Sequence, residues 1–336
     1  MNIEVMDRDL NKRGVFFKVV FGIVMLTLVN CSKSKEDAQV IDVIKDPVVV
    51  DPVPNPNAPL SDQKNTGEWV LNEEMSDEFD GAVLDETKWH IQGKGGVYQS
   101  NFIGRAPSQF STNNVRVEKG MLKLETRWEP TFNFSTKLDN GVKYENITTA
   151  AIISKKEFTY GYLEVKSKAA DCEITSSFWA TGSNVEFDFF EMFGDHKQPS
   201  KEAAGKEREL WWSIHDWTSA GAGRTTYTES HDLGFRVAAA FHVYGFEWSA
   251  DGVKIYIDGK LFRDVSRATI NAYDDVAKQN GGNGANENFV ITKPLKIWFD
   301  QETFPWHGVP DSKEEVGGNG TIDFEIEYLR IWQKKK

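Results

Sequence analysis

Three acidic side chains lie close together in the chain, separated by large apolar residues. They are Glu186, Asp188 and Glu191, and the residues between them are all Phe. Phe and Val favour a β-strand, in which successive side chains point to opposite faces. Glu186 and Asp188 therefore share a face, whereas Glu191 has the wrong parity. One β-bulge between Asp188 and Glu191 would bring all three acids onto one face.

A row of acids on one sheet face is suited to acid–base or nucleophilic chemistry. Crowded carboxylates repel one another, so such a row is kept more readily for chemistry than for folding. With 51 acids in 336 residues, the spacing alone is expected about once by chance. A solvated acidic face is the alternative, but it would be expected to have polar neighbours. The apolar context therefore favours a catalytic role.

The composition bounds the class of protein. A net charge of −12 argues against nucleic-acid binding, which needs a basic surface. The 40% hydrophobic content and the mean hydropathy of −0.48 are typical of a soluble globular protein. Two cysteines exclude a disulfide framework. Eleven tryptophans would matter for a sugar ligand, because indole faces stack on pyranose rings.

The first 66 residues predict export rather than a folded domain. Residues 1–30 read as a signal peptide, because basic residues precede an apolar run from Val19 to Val29 that is too short to span a bilayer. The run ends in Leu28-Val29-Asn30-Cys31, which resembles the bacterial lipoprotein box and implies lipidation of Cys31. An ordinary signal peptide with a free Cys31 is the alternative. We expect a protein of the cell envelope, lipid-anchored at the outer membrane, or a secreted one.

Residues 31–66 predict a flexible tether, and residues 67–336 predict one all-β domain. The tether is rich in Ser, Lys, Asp and Pro and cannot bury enough apolar surface to fold. From Trp69 onward, short runs of β-branched and aromatic residues alternate with Gly, Asn and Asp. One hairpin is marked by Glu118-Lys119-Gly120 between two such runs. No long helical period is present, so we expect a sandwich of two antiparallel sheets.

Several motifs along the domain recur together in one known family. They are Ser76-Asp77-Glu78-Phe79-Asp80-Gly81, Phe158-Thr159-Tyr160-Gly161-Tyr162-Leu163-Glu164, Phe241-His242-Val243-Tyr244-Gly245-Phe246-Glu247-Trp248 and the acidic motif. Together they resemble glycoside hydrolase family 16 over nearly the whole domain. The resemblance implies a jelly-roll sandwich with a concave substrate cleft. It also implies Glu186 as nucleophile, Glu191 as general acid/base and Asp188 as their partner in a retaining mechanism.

Two further stretches resemble the agar-active branch of that family, the β-agarases and β-porphyranases. They are Gly104-Arg105-Ala106-Pro107-Ser108-Gln109-Phe110 and the run from Trp298 to Gly308. The resemblance implies cleavage of β-1,4 galactosidic bonds in red-algal galactans. We expect an enzyme of the β-agarase type. The alternatives are a β-porphyranase acting on sulfated porphyran and a non-catalytic polysaccharide-binding lipoprotein.

Five side chains are candidates for substrate binding. Trp179 is expected on the cleft floor, and Glu302 is expected to accept hydrogen bonds from sugar hydroxyls. Trp306 stacks on a sugar or belongs to the core. Arg105 holds a sulfate group bidentately or pairs with a surface acid. His215 reaches the cleft or is a buried structural histidine.

No cofactor is required by this chemistry. The family often holds a structural calcium on its convex side, and such a site is possible here. Oxygen ligands from separate strands leave no sequence signature, so metal ligands cannot be assigned. We expect a monomer that binds a galactan and no nucleic acid.

Overall fold

The regular secondary structure of the described residues is almost all β-strand. A computed structural model describes residues 54–195, 205–217, 225–270, 272 and 291–335. The predicted signal peptide, Cys31 and the tether up to residue 53 lie outside the described residues. Among the residues described, no helix is long and apolar enough to cross a membrane.

Nineteen strands are described. In chain order they are β1 Trp69–Leu71, β2 Trp89–Ile91, β3 Ser108–Phe110, β4 Val115–Val117, β5 Leu122–Trp128, β6 Leu138–Asp139, β7 Val142–Lys143, β8 Ile147–Thr149, β9 Ala151–Ser154, β10 Gly161–Lys168, β11 Ser176–Gly182, β12 Val185–Met192, β13 Glu209–Asp216, β14 Thr225–Asp232, β15 His242–Ser249, β16 Gly252–Ile257, β17 Lys260–Ser266, β18 Lys296–Asp300 and β19 Thr321–Lys334.

Among the described residues, helical structure is limited to short pieces. The 3₁₀ turns are Leu60–Asp62, Lys94–Gly96, Gln99–Asn101, Thr112–Asn114, Lys206–Arg208 and Lys313–Glu315, and a helical turn occupies 267–270.

Two large sheets pack face to face. The first has the order β17-β16-β15-β10-β19-β5-β8-β3, with β1 paired to β19 and β4 to β5, and the second has the order β14-β13-β12-β11-β18-β9-β2. The strands pair antiparallel, apart from the parallel pair of β3 and β8. The hairpin predicted around Glu118-Lys119-Gly120 is confirmed as β4 and β5. The predicted all-β sandwich is therefore confirmed.

Aromatic side chains fill the space between the sheets beneath the acidic strand. Phe178 stacks on Phe189 with 4.7 Å between ring centroids and on Phe299 with 4.8 Å. Phe190 contacts Phe324 of the opposite sheet. Interlocked rings in a close-packed core leave β12 little freedom to shift. The apolar residues between the acids thus form a rigid support for them.

A tight turn and a bulge set the register of β12. The turn between β11 and β12 has Ser183 and Asn184 at φ of 44° and 65°, as the two-residue hairpin turns that match strand twist require. Further along, Phe178 pairs with Phe190 while Trp179 pairs with Asp188, so Phe189 is an extra residue. The β-bulge predicted between Asp188 and Glu191 is confirmed.

The segment before Trp69 packs on the first sheet, which differs from the expected tether over residues 31–66. Ala58 is buried, and the amide of Leu60 donates a 2.8 Å hydrogen bond to the buried carboxylate of Glu164. The Tyr328 hydroxyl donates to the other oxygen of Glu164, at 3.0 Å. Composition missed this contact because it depends on a few buried positions and on one main-chain hydrogen bond to a side chain 104 residues away.

Candidate active site

A cleft of about 340 Å³ lies over the outer face of the second sheet. Strands β11, β12 and β18 supply its floor, and the segment before β3 supplies one wall. Its lining is Ser100, Phe102, Arg105, Ser177, Trp179, Thr181, Glu186, Asp188, Glu191, Trp217, Trp298, Asp300 and Glu302. The bulge therefore brings Glu186, Asp188 and Glu191 into one cavity, as the parity argument predicted.

The three acids of β12 have different neighbours. The side chain of Trp217 donates a hydrogen bond to Glu186. Asp188 is 5% exposed and lies 2.9 Å from Nε2 of His215. Glu191 lies across the cleft from Arg105, close enough for the guanidinium to attract it. One strand thus presents three carboxyl groups in three distinct environments.

These environments raise the pKa values of both glutamates. Burial raises the pKa of both Glu186 and Glu191, and the charge of Asp188 raises both further. The hydrogen bond from Trp217 opposes this shift at Glu186. At Glu191 the charges of Glu302 and Glu186 raise the pKa again, and the charge of Arg105 lowers it. The carboxylate of Glu186 thus accepts a hydrogen bond that stabilises its ionised form, which suits an anion.

A second acidic pair lies opposite β12. Asp300 and Glu302 are buried and hydrogen-bonded to each other, and burial raises the pKa of both. The Asp300 carboxyl also accepts a hydrogen bond from Trp179. Arg105 Nε donates to Glu302 Oε2 at 2.8 Å, which counteracts the rise at Glu302. Glu302 was expected to bind sugar hydroxyls, but in this structure its charge is paired with Arg105.

Arg105 lies in the cleft and is held on several sides. Its guanidinium lies 4.7 Å from the ring centroid of Phe304 and 5.4 Å from that of Trp306. Tyr144 donates to the carbonyl of Gly104, which precedes Arg105, at 2.9 Å. The sequence left sulfate or a surface acid as its partner. The acid partner found is the buried Glu302.

The tryptophans divide between the cleft floor and its rim. Trp179 lies on the floor, as expected, stacked on Trp298 with 4.6 Å between centroids. Trp306 is 46% exposed and contacts Phe304, which excludes the core alternative. Both offer an aromatic face of the kind that stacks on a sugar ring.

His215 was expected either to reach the cleft or to be a buried structural residue. The structure bonds Nε2 to Asp188 at 2.9 Å and Nδ1 to the Thr226 hydroxyl at 2.8 Å. The ring also stacks on Trp217, with 4.6 Å between centroids and 7° between planes. Because both ring nitrogens already have partners, His215 is placed to hold Asp188 rather than to bind sugar.

Some residues of the site were not singled out from the sequence. Asp300 and Trp298 share the strand parity of Glu302, so alternation along β18 was an available signal. Trp217 likewise has the parity of His215. No sequence feature pointed to Thr226. Its contact with His215 depends on the register in which β13 pairs with β14, and the sequence does not reveal that register.

One group of side chains in the cleft could offer ligands to a metal ion. Glu186, Asp188 and His215 place ligand atoms within 4.8 Å of one another, but their hydrogen bonds to Trp217 and Thr226 and between themselves account for these atoms. On the outer face of the first sheet, the carboxylates of Glu125 and Asp323 are bonded to Arg or Lys. These two carboxylates are therefore engaged by guanidinium groups, and the structural calcium stays an expectation.

Comparison with known proteins gives consistent matches. A family profile described as "Beta-porphyranase A-D, GH16 domain" matches residues 69–334. The chain is 28% identical over 261 residues to Beta-porphyranase E of Zobellia galactanivorans, which covers 73% of this chain and 81% of that protein.

Solved structures agree on the fold. The crystal structure of porphyranase B from Zobellia galactanivorans superposes with a TM-score of 0.60 at 25% identity, covering 79% of this chain and 92% of that one. The structure of β-agarase A from the same organism gives 0.61 at 20% identity, covering 79% and 92%, and bears on the fold alone. The expected jelly-roll β-sandwich is confirmed.

Proposed function

The chain belongs to glycoside hydrolase family 16, in its agarase and porphyranase branch, and we propose that it cleaves internal β-1,4 galactosidic bonds of red-algal galactans with retention of configuration. The observation that carries this proposal is the bulged strand β12, which turns Glu186, Asp188 and Glu191 into one cleft.

In this mechanism Glu186 attacks the anomeric carbon and Glu191 protonates the leaving oxygen. The first step forms a glycosyl–enzyme ester on Glu186 and transfers the Glu191 proton to the leaving sugar. Glu191, now a carboxylate, then takes a proton from water as that water attacks the same carbon and frees Glu186. The hydrogen bond from Trp217 to Glu186 and the raised pKa of Glu191 suit these roles.

Porphyran is the substrate that the relatives favour. The matching family profile and the relative Beta-porphyranase E are both named as porphyranases. Arg105 supports it, because Nε binds Glu302 while the side chain stays about a third exposed, at 36%. The remaining guanidinium N–H groups can then face a sulfate on the bound chain.

Agarose is the second candidate, favoured by the charge of the cleft. Five carboxyl groups line it, and Arg105 is the one cation among its described lining residues. Since Arg105 is already paired, the cleft as a whole repels an anionic chain. A neutral galactan avoids this repulsion.

The test is a reducing-end assay on porphyran and agarose in parallel, with laminarin as the control. We expect release of oligosaccharides from at least one agar-type galactan and none from laminarin. Exclusive activity on laminarin would refute the substrate proposal. Binding without turnover by the wild type would refute the catalytic one and favour a binding lipoprotein.

We also propose that the protein is held at the cell envelope by a lipid on Cys31. The support is the Leu28-Val29-Asn30-Cys31 sequence after a short apolar run. Cys31→Ala should move the protein from membrane fractions to the soluble fraction, because a lipid and not a spanning helix is the anchor. Retention of the variant in membranes after signal cleavage would contradict this.

A further inference from the structure

A chain of hydrogen bonds leads from the neighbouring strands into the acidic motif. The Thr226 hydroxyl on β14 lies 2.8 Å from Nδ1 of His215 on β13. Nε2 of the same ring lies 2.9 Å from Oδ2 of Asp188 on β12. Each contact joins adjacent strands of the second sheet, in which His215 pairs with Thr226 on one side and Glu186 on the other. The ring is therefore fixed at both nitrogens.

The partners determine which nitrogen of His215 carries the proton. An ionised carboxylate only accepts hydrogen bonds, so Nε2 must donate to Asp188. In a neutral ring Nδ1 then has a lone pair, and the Thr226 hydroxyl is the donor that satisfies it. Without that hydroxyl, Nδ1 faces no donor from β14 and the ring loses its fixed orientation.

We propose that Thr226 is a positioning residue for catalysis: through His215 it keeps an N–H donor on Asp188, so that the transferable proton stays on Glu191. This rests on the proposed function of the cleft. Asp188 lies between the two glutamates, and its carboxylate would otherwise compete for the proton that Glu191 delivers and later recovers. No covalent step involves Thr226 or His215.

The imidazole of His215 is surrounded by acidic, hydroxyl and aromatic groups from three directions. From β12 it meets Asp188 and Glu186, and from β14 it meets Thr226, which carries no charge. The parallel ring of Trp217, which also binds Glu186, covers one face of the imidazole. If the His215 ring loses its orientation, its hydrogen bond to Asp188 is affected directly. Glu186 is affected indirectly, through Trp217.

Thr226→Val tests the proposal, because it removes the hydroxyl and keeps the shape. Its matched control is Thr228→Val on the same strand, whose hydroxyl contacts Ser213 at 2.9 Å and not His215. We expect kcat on the accepted galactan to fall about fivefold in Thr226→Val, with KM changed less than about twofold. Thr226→Ser should restore the wild-type rate, and Thr228→Val should leave it unchanged.

A readout independent of activity accompanies the kinetics. Imidazole ¹⁵N spectra should show His215 of the wild type as the Nε2–H form, and Thr226→Val should lose that single tautomer. If the wild type hydrolyses no galactan, the proposed function fails, and the spectra alone decide the hydrogen-bond chain. Equal rates and spectra in Thr226→Val and Thr228→Val, or no rescue by Thr226→Ser, would overturn the positioning role.

Discussion

Strands β12 and β19 each carry a row of acids on one face. The two rows differ in whether basic side chains pair with them. On β19, Asp323, Glu325 and Glu327 alternate along the outer face of the first sheet. Each is paired with a basic side chain of β4, β5 or β10 in the same sheet. The pairs are Arg116 with Asp323 at 2.6 Å, Lys123 with Glu325 at 2.9 Å, Lys168 with Glu325 and Lys166 with Glu327 at 2.7 Å.

On β12 the acids face one another instead. Among the described residues that line the cleft, Arg105 is the single cation, and it is bonded to Glu302. Burial raises the pKa of Glu186 and Glu191. At Glu325 burial acts in the same direction, but hydrogen bonds from Lys168 and Lys123 outweigh it and the pKa is lowered. Paired acids thus support the sheet, whereas unpaired ones are poised for proton transfer.

Glu186→Gln should give the largest effect, the loss of turnover by about 10⁴-fold or more, because an amide cannot form the glycosyl ester. The fold should survive, since the substitution removes a carboxyl group that is costly to ionise in place. Reducing-end assays and thermal melts on the purified variant measure both outcomes. Appreciable residual hydrolysis would sink the assignment of Glu186 as the nucleophile.

Arg105→Ala should rank second, because it removes the one cation among the described residues that line the acidic cleft. If Arg105 binds sulfate, kcat/KM on porphyran should fall about tenfold to hundredfold, and far less on agarose. Glu302→Gln is the control that loosens Arg105 without removing its charge. A parallel loss on both substrates would mean that Arg105 contacts hydroxyls or braces its loop. No change on either would show that it does not touch substrate.

The same Glu-to-Gln exchange on β19 should act in the opposite way. Glu325→Gln should leave galactan hydrolysis unchanged and lower the free energy of unfolding by about 1–2 kcal/mol at neutral pH. Because the folded-state pKa of Glu325 is depressed, its contribution exists above its ordinary value of 4.5 and is lost as the pH falls through the folded value. Denaturant titrations at several pH values would reveal this. A cost that persists in strong acid would contradict it.

Glu191→Gln should show the smallest effect on stability, with the reverse pH dependence. A raised folded-state pKa makes the folded protein bind more protons than the unfolded chain above pH 4.5, so stability declines as the pH rises through that window. Removing Glu191 should cancel this decline and raise Tm by about 1–2 °C at neutral pH. Thermal melts should give the wild type and Glu191→Gln the same Tm at pH 4 and different Tm values at pH 7.

The sequence predicts the arrangement of the acids on β12 better than the ion pairing of the acids on β19. Parity along β12 was enough to predict the bulge, because a strand has only two faces. The same reasoning applied to β19 finds an equally regular row of acids, and nothing local says that one row is paired. The difference arises from Arg116, Lys123, Lys166 and Lys168, which strand pairing brings from distant parts of the chain.

The same limit applies within the site. The resemblance placed Glu186 and Glu191, and alternation could have added Asp300. The ion pair of Arg105 with Glu302 joins residues 197 positions apart, and the contact of Thr226 with His215 needs the register of β14. Such contacts are set by tertiary packing, so residue type and spacing do not reveal them.

The stereochemistry of the first product tests the central claim most directly. The two carboxyl groups of β12 are proposed to act by double displacement, which inverts the anomeric carbon twice. Proton NMR during hydrolysis of the accepted galactan should show the β-anomer of the new reducing end first, with the α-anomer growing later by mutarotation. Initial appearance of the α-anomer would contradict a covalent intermediate on Glu186.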